Sequence, residues 1–169
     1  MDISTAFLQG FSFDELKAAG HERAPCAFAP DPEIWDLMSE IDPTYRECAK
    51  APLLFVYELL KGAYGLKDAV LLWNLKISRV LVHDLGFKQS IHDTQIYEKY
   101  RGEGSVCLAS LHVDDLMVTG EQAEVDLLHA ELEKRFGSVK WNKGKFKHFG
   151  MEISQDWIQD VIFDQTFYL

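Results

Sequence analysis

Apolar residues recur at helical spacing in three stretches of the chain. Trp73, Ile77, Val80, Leu81 and Leu85 follow the i, i+4, i+7, i+8 rule, and Gly86 stands where a C-terminal cap belongs, which predicts a helix over roughly 67–85. Downstream, Thr119 and Gln122 read as a capping box, Val125, Leu128, Leu132 and Phe136 make one apolar face, and Gly137 ends it. A shorter helix is signalled by Asp31 before Pro32, with Ile34, Leu37, Met38 and Ile41 at helical spacing behind them. β-Branched and aromatic runs between glycines and polar breaks predict strands near 2–8, 93–100, 105–112, 115–119, 145–153 and 158–164. Helices and strands interleave without a βαβ rhythm, and 105–119 reads as a hairpin. The expected fold is therefore α+β, an antiparallel sheet with helices packed on one face. All five prolines, Pro25, Pro30, Pro32, Pro43 and Pro52, crowd one segment, so 22–52 reads as an irregular connection over the surface.

Composition sets outer limits on this picture. A chain of 169 residues, 47% apolar, is long and greasy enough for one domain with a real core, spanning 1–169. Seventeen basic against 27 acidic residues give a formal charge of −10, which argues against general polyanion binding and confines any nucleic-acid contact to a local patch. Cys26, Cys48 and Cys107 are odd in number and far apart, so neither a disulfide framework nor a zinc knuckle is suggested. No basic leader precedes an apolar run, and no run approaches the ~18 apolar residues of a membrane span. The chain reads as soluble, untargeted and intracellular, cytoplasmic or nuclear.

Against this background one run stands out. CLASLHVDDLMVTG, Cys107 to Gly120, sets Asp114 and Asp115 in the middle of strand-like sequence. Neighbouring side chains of a straight strand point to opposite faces, so the two acids converge only if the chain turns there. A solvated turn would explain such a pair, because Asp is common in turns. So would a bound cation, which offsets the repulsion and desolvation of paired carboxylates. MDISTAFLQG supplies a further acid, Asp2, at the head of another predicted strand. Carboxylates from different strands suit a pair of magnesium ions about 4 Å apart, the arrangement that aligns a phosphoryl transfer.

The blocks MDISTAFLQG, LLKGAYGLKDAVLLW, LGFKQSIHDTQIYEK, LHVDDLMVTG and KHFGMEI, in that order, resemble the reverse transcriptase of copia-type retrotransposons. The likeness runs over nearly the whole chain, and QTFYL resembles the start of the segment that leads to a thumb, within 153–169. It implies a palm-like domain and an RNA-directed DNA polymerase. Its reaction would be two-metal nucleotidyl transfer from a dNTP to a primer 3′-hydroxyl, with Mg2+, or Mn2+, as cofactor and an RNA or DNA primer-template as partner. By that resemblance Asp2, Asp114 and Asp115 are the catalytic and metal-holding acids, Asp115 in a supporting place, and the main-chain carbonyl of Ile3 completes one shell. Ala6 and Phe7 fall at the nucleotide, Phe7 where a ring excludes a 2′-hydroxyl. Gly65 and Lys67 match the second motif at the template and nucleotide. Asp68, Ala69, Val70 and Leu71 stand where the family usually has Gln-Ala-Pro-Arg, and His112 replaces a usual tyrosine.

SVKWNKGKFKHFGMEI opposes the global charge, with Lys140, Lys143, Lys145 and Lys147 before the first acid, Glu152. Alternation along a strand would put Lys143, Lys145 and Lys147 on one face and Phe146 with His148 on the other. The lysines suit a phosphate backbone, although edge strands also carry lysine to block aggregation. Phe149, Gly150 and Met151 resemble the family's primer grip. The resemblance also implies a fragment, with fingers, thumb and RNase H supplied by a parent polyprotein. Two other readings stay open: an inactive remnant that binds nucleic acid or is purely structural, and a metal-dependent nucleotide-sugar transferase.

Overall fold

The computed structural model describes residues 1–148, 150–156 and 160–166. In chain order its elements are β1 (Asp2–Ile3), a 3-10 turn (Ala6–Gln9), α1 (Phe13–Ala18), β2 (Cys26–Phe28), α2 (Pro32–Ile41), α3 (Arg46–Lys50), β3 (Tyr57–Leu59) and α4 (Ala69–Arg79). There follow β4 (Lys88–Gln89), β5 (Ile96–Arg101), β6 (Gly104–His112), β7 (Asp115–Gly120), α5 (Gln122–Phe136), β8 (Val139–Lys140), β9 (Lys145–His148), β10 (Met151–Gln155) and β11 (Val161–Asp164). Six strands form the main sheet in the order β4-β5-β6-β7-β1-β8, each neighbouring pair antiparallel. Smaller sheets join β9, β10 and β11, and β2 with β3.

Alternation decides which face of the main sheet is buried. Cys107, Ala109 and Leu111 of β6, Leu116 of β7, Ile3 of β1 and Tyr97 of β5 point to one side. There they meet Trp73 and Ile77 of α4 and Leu128, Leu132 and Phe136 of α5 in one core. Asp2 and Asp115 fall at the other parity and stand on the face away from this core. The fold is thus α+β with both long helices on one face, as the periodicity predicts.

The helix expected over 67–85 is present as α4, continued by a π-helical turn over Val80–Asp84 and stopped at Gly86, whose φ is 75°. The helix expected after Pro32 spans Pro32–Ile41. Other expectations are corrected. The capping box of Thr119 and Gln122 does not form: Thr119 pairs with Leu108 in the β6–β7 ladder, and Glu121 is the N-cap of α5. A true capping box occurs at Ser12 and Glu15, starting α1, which the apolar pattern does not announce. The strand expected over 2–8 ends at Ile3, because Thr5 takes a left-handed φ of 55° and turns the chain into the 3-10 turn. Segment 22–52 is more regular than its prolines suggest, containing β2, α2 and α3, with Trp35 buried against Tyr57 at 4.5 Å between ring centres. The run 145–153 is two strands, β9 and β10, and of the expected 158–164 strand Val161–Asp164 is observed while 158–159 lie outside the described residues.

Candidate active site at the aspartate turn

The β6–β7 hairpin closes through two residues, Val113 and Asp114, between the opposed pair His112 and Asp115. Val113 has φ 54°, a left-handed conformation that β-branched residues disfavour. Strain of this kind, worth about 1–2 kcal/mol, persists only where the surroundings impose it. The surroundings include Trp73, fully buried on α4, whose indole Nε1 donates to the Val113 carbonyl at 2.7 Å.

β1 then brings the distant acid to this turn. Met1 and Leu116 exchange main-chain hydrogen bonds of 2.7 and 2.8 Å, and the Ile3 N–H donates to the Asp114 carbonyl at 3.4 Å. Between these two links Asp2 stands directly opposite Asp115. This is a non-hydrogen-bonded antiparallel pair, the kind whose side chains approach most closely and share one face. The acids predicted from widely separated blocks therefore meet at one corner of the sheet, and Asp115, expected in a supporting place, is the one that faces Asp2. Asp114 stands beside them in the turn.

Two like charges so placed repel, and the neighbourhood moderates this. On the other side of β1 Asp2 pairs with Lys140 of β8, whose Nζ lies 3.8 Å from Asp2 Oδ2. Asp2, Asp115, Met117, Trp141 and His148 help line a cavity of about 70 Å3, the size of an ion with a few waters and far smaller than a nucleotide. Burial pushes the His148 imidazole below its ordinary value, opposed by the Asp115 carboxylate. Sequence reading gave Lys140 no role of its own and His148 only a strand face, because their places depend on the β1–β8 register and on packing.

The oxygen donors of Asp2 and Asp115 fit a hard divalent cation, which prefers carboxylates. Among the described residues no three His, Cys, Asp or Glu side chains converge as a ligand set. Ile3 is buried, its side chain in the core and its N–H directed to the Asp114 carbonyl.

The nucleotide-side residues form a second group. Ala6 is buried in the 3-10 turn, and the half-buried Phe7 meets Tyr64 edge-on at 5.3 Å between ring centres. Tyr64 precedes Gly65, whose φ of 91° suits glycine. Lys67 is exposed two residues ahead of α4, rather than on its first turn. Asp68 is not an uncompensated charge: Arg23 forms an ion pair with it while lying 3.9 Å from the Phe13 ring centre, and this hydrogen bonding holds the Asp68 carboxyl below its usual range. Val70 and Leu71 are 45% and 57% exposed, an apolar surface where the resemblance expects a cation.

The basic segment is only partly the predicted edge. Lys145 and Lys147 share the outer face of β9, with Phe146 and His148 turned inward. Lys143 lies outside the strand, ahead of Gly144 at φ 79°, and donates to Gln122 Oε1 of α5 at 2.6 Å, so alternation does not align it with the others. Lys145 is engaged by Glu152 at 2.6 Å, and Lys147 stands opposite Glu152 in the β9–β10 register. Gly150 makes the turn with φ 74°, Met151 opens β10, and Phe149 lies outside the described residues.

Residues 51–167 match the family described as reverse transcriptase (RNA-dependent DNA polymerase). The chain is 30% identical over 163 residues to a putative transposon Ty5-1 protein of Saccharomyces cerevisiae, covering 95% of this chain and 44% of that one. It is 29% and 30% identical to retrovirus-related Pol polyproteins from transposons RE1 and RE2 of Arabidopsis thaliana, covering 92% of this chain and 9% of each. The chain therefore spans less than half the length of these relatives. No solved structure matches it. With more than half of its residues in the family match and its remote acids gathered at one turn, the chain belongs to the reverse transcriptase family, alongside the Pol proteins of retrotransposons.

Proposed function

We propose that this domain is the palm of an RNA-directed DNA polymerase that joins a deoxynucleotide to a primer 3′-hydroxyl on an RNA or DNA template. The observation that carries the reading is the direct opposition of Asp2 and Asp115 beside a turn that adds Asp114. Asp2, Asp114 and Asp115, with the Ile3 carbonyl, would hold Mg2+ or Mn2+. A divalent cation there would supply charge neutralisation for the transferring phosphate and activation of the primer hydroxyl. Lys140, 3.8 Å from Asp2, tempers the repulsion of the acids. Phe7, buttressed by Tyr64, would bound the sugar with Ala6, while Gly65 lets main chain approach the base pair and Lys67 offers a charge to phosphate. Lys145, Lys147, Gly150 and Met151, with Phe149, would steady the primer, and Lys143 would act from its loop. Fingers and thumb would come from the parent polyprotein, within the cell.

The test is template-directed addition of a dNTP in Mg2+ or Mn2+, for the chain alone and for a longer polyprotein segment containing it. Extension that vanishes in Asp114→Asn supports the reading. No extension under either cation in either protein contradicts it.

A second reading, a remnant that binds primer-template without turnover, is favoured by the exposed Val70 and Leu71, which stand where the resemblance expects a cation. Salt-sensitive binding without extension would be its sign.

A further inference from the structure

We propose that Trp73 is a positioning residue of the aspartate turn: its indole N–H, by holding the Val113 carbonyl, sets the peptide plane that aims Asp114 beside the ladder-held pair Asp2 and Asp115. The inference rests on the cation-holding role proposed above for these acids.

Geometry gives the reason. In a two-residue hairpin the peptide between the two turn residues is free of the strand ladder, and its rotation changes ψ of the first and φ of the second. Here that peptide joins Val113 to Asp114, and its oxygen is the one Trp73 holds at 2.7 Å. Rotating it would redirect the Asp114 side chain and loosen the pair His112 and Asp115 that follows. Val113 gives the turn no intrinsic preference for its observed φ of 54°, so an outside partner has to supply one. A buried indole N–H needs an acceptor and a carbonyl outside the ladder needs a donor, so each satisfies the other.

The donor projects from the packed core. Trp73 is fully buried, and Phe136 of α5 packs edge-on to it at 5.1 Å between ring centres. Beneath it, Gly10 presses on the α4 main chain so closely that a Cβ there would lie 2.8 Å from the Trp73 nitrogen, and the Phe11 N–H donates to the Leu72 carbonyl at 3.2 Å. Filling the core alone would be served by phenylalanine. The N–H is the part of this side chain that reaches the turn.

The experiment compares wild type, Trp73→Phe and Phe136→Leu in the full chain. Trp73→Phe keeps a ring in the core and deletes the donor, whereas Phe136→Leu loosens the same packing and keeps the donor. Titration with Mn2+, read by its electron-spin signal, is expected to weaken in Trp73→Phe by roughly three- to tenfold, the change that corresponds to losing one buried hydrogen bond. Phe136→Leu should bind as wild type does, even if it melts earlier. A second readout needs no metal: the Asp114 and Asp115 amide signals in nitrogen-15 spectra should shift and broaden in Trp73→Phe and keep their wild-type positions in Phe136→Leu. Wild-type Mn2+ affinity in Trp73→Phe overturns the inference and leaves the proposed function standing. If wild type binds no Mn2+ through Asp114, the cation role fails and the amide signals decide positioning: unmoved signals in Trp73→Phe overturn it, and shifted ones sustain it.

Discussion

Asp2 and Asp115, separated by most of the chain, face each other across the β1–β7 ladder as a directly opposed pair, with the Lys140 ammonium 3.8 Å from Asp2 on the far side. A pairing of like charges weakens a sheet, a cost that the proposed function attributes to gathering cation ligands. Without a cation, Asp115→Asn should therefore raise stability by about 0.5 kcal/mol while lowering any polymerase activity. Urea unfolding of the two proteins in chelator measures this, and a variant less stable than wild type would mean that the pair is not in net repulsion.

The left-handed Val113 makes a second prediction. Asn tolerates that conformation far better than a β-branched residue, so Val113→Asn should stabilise the metal-free chain by about 1 kcal/mol. An unfolding midpoint equal to or below that of wild type would show that the turn carries no strain.

Glu124 of α5 receives Lys99 at 2.9 Å and Arg101 at 2.7 Å, and hydrogen bonding first to Lys99 and then to Arg101 holds its carboxyl below the usual carboxylate value. Its stabilising effect is present above the unfolded-state value and lost as pH falls through the depressed folded one. Stability measured from neutral pH into that acidic range should fall less steeply in Glu124→Gln than in wild type. Parallel curves would remove Glu124 from the acid response.

Cys107 lies in the core, and burial pushes its thiol up to about 11, so it stays protonated at neutral pH. Native alkylation at pH 8 should label the half-buried Cys26 and Cys48 and spare Cys107 until the chain is unfolded. Peptide mass mapping reads this, and early labelling of Cys107 would contradict the packing of β6 against α5.

Much of this architecture was legible in the chain because some signals are local. The apolar spacing after Pro32 and the run from Trp73 to Gly86 led directly to α2 and α4, where periodicity and cap agree. Signals failed where pairing between distant segments won. Thr119 looked like the start of a helix, but the ladder with Leu108 claims it for β7, and the left-handed Thr5 cuts short a run that reads as continuous strand. The three acids were visible as candidates from their blocks, yet register alone decided that Asp2 faces Asp115. Arg23 on Asp68, Trp73 on Val113 and Lys140 beside Asp2 are contacts across 45, 40 and 138 positions of sequence, with no local pattern to announce them.

The central claim, that Asp2 and Asp115 together hold a divalent cation, is tested most directly by calorimetric titration of Mn2+ into wild type, Asp2→Asn and Asp115→Asn. The account predicts saturable binding in wild type that is lost in each variant. Binding of equal strength in all three proteins, or none in wild type, would contradict it.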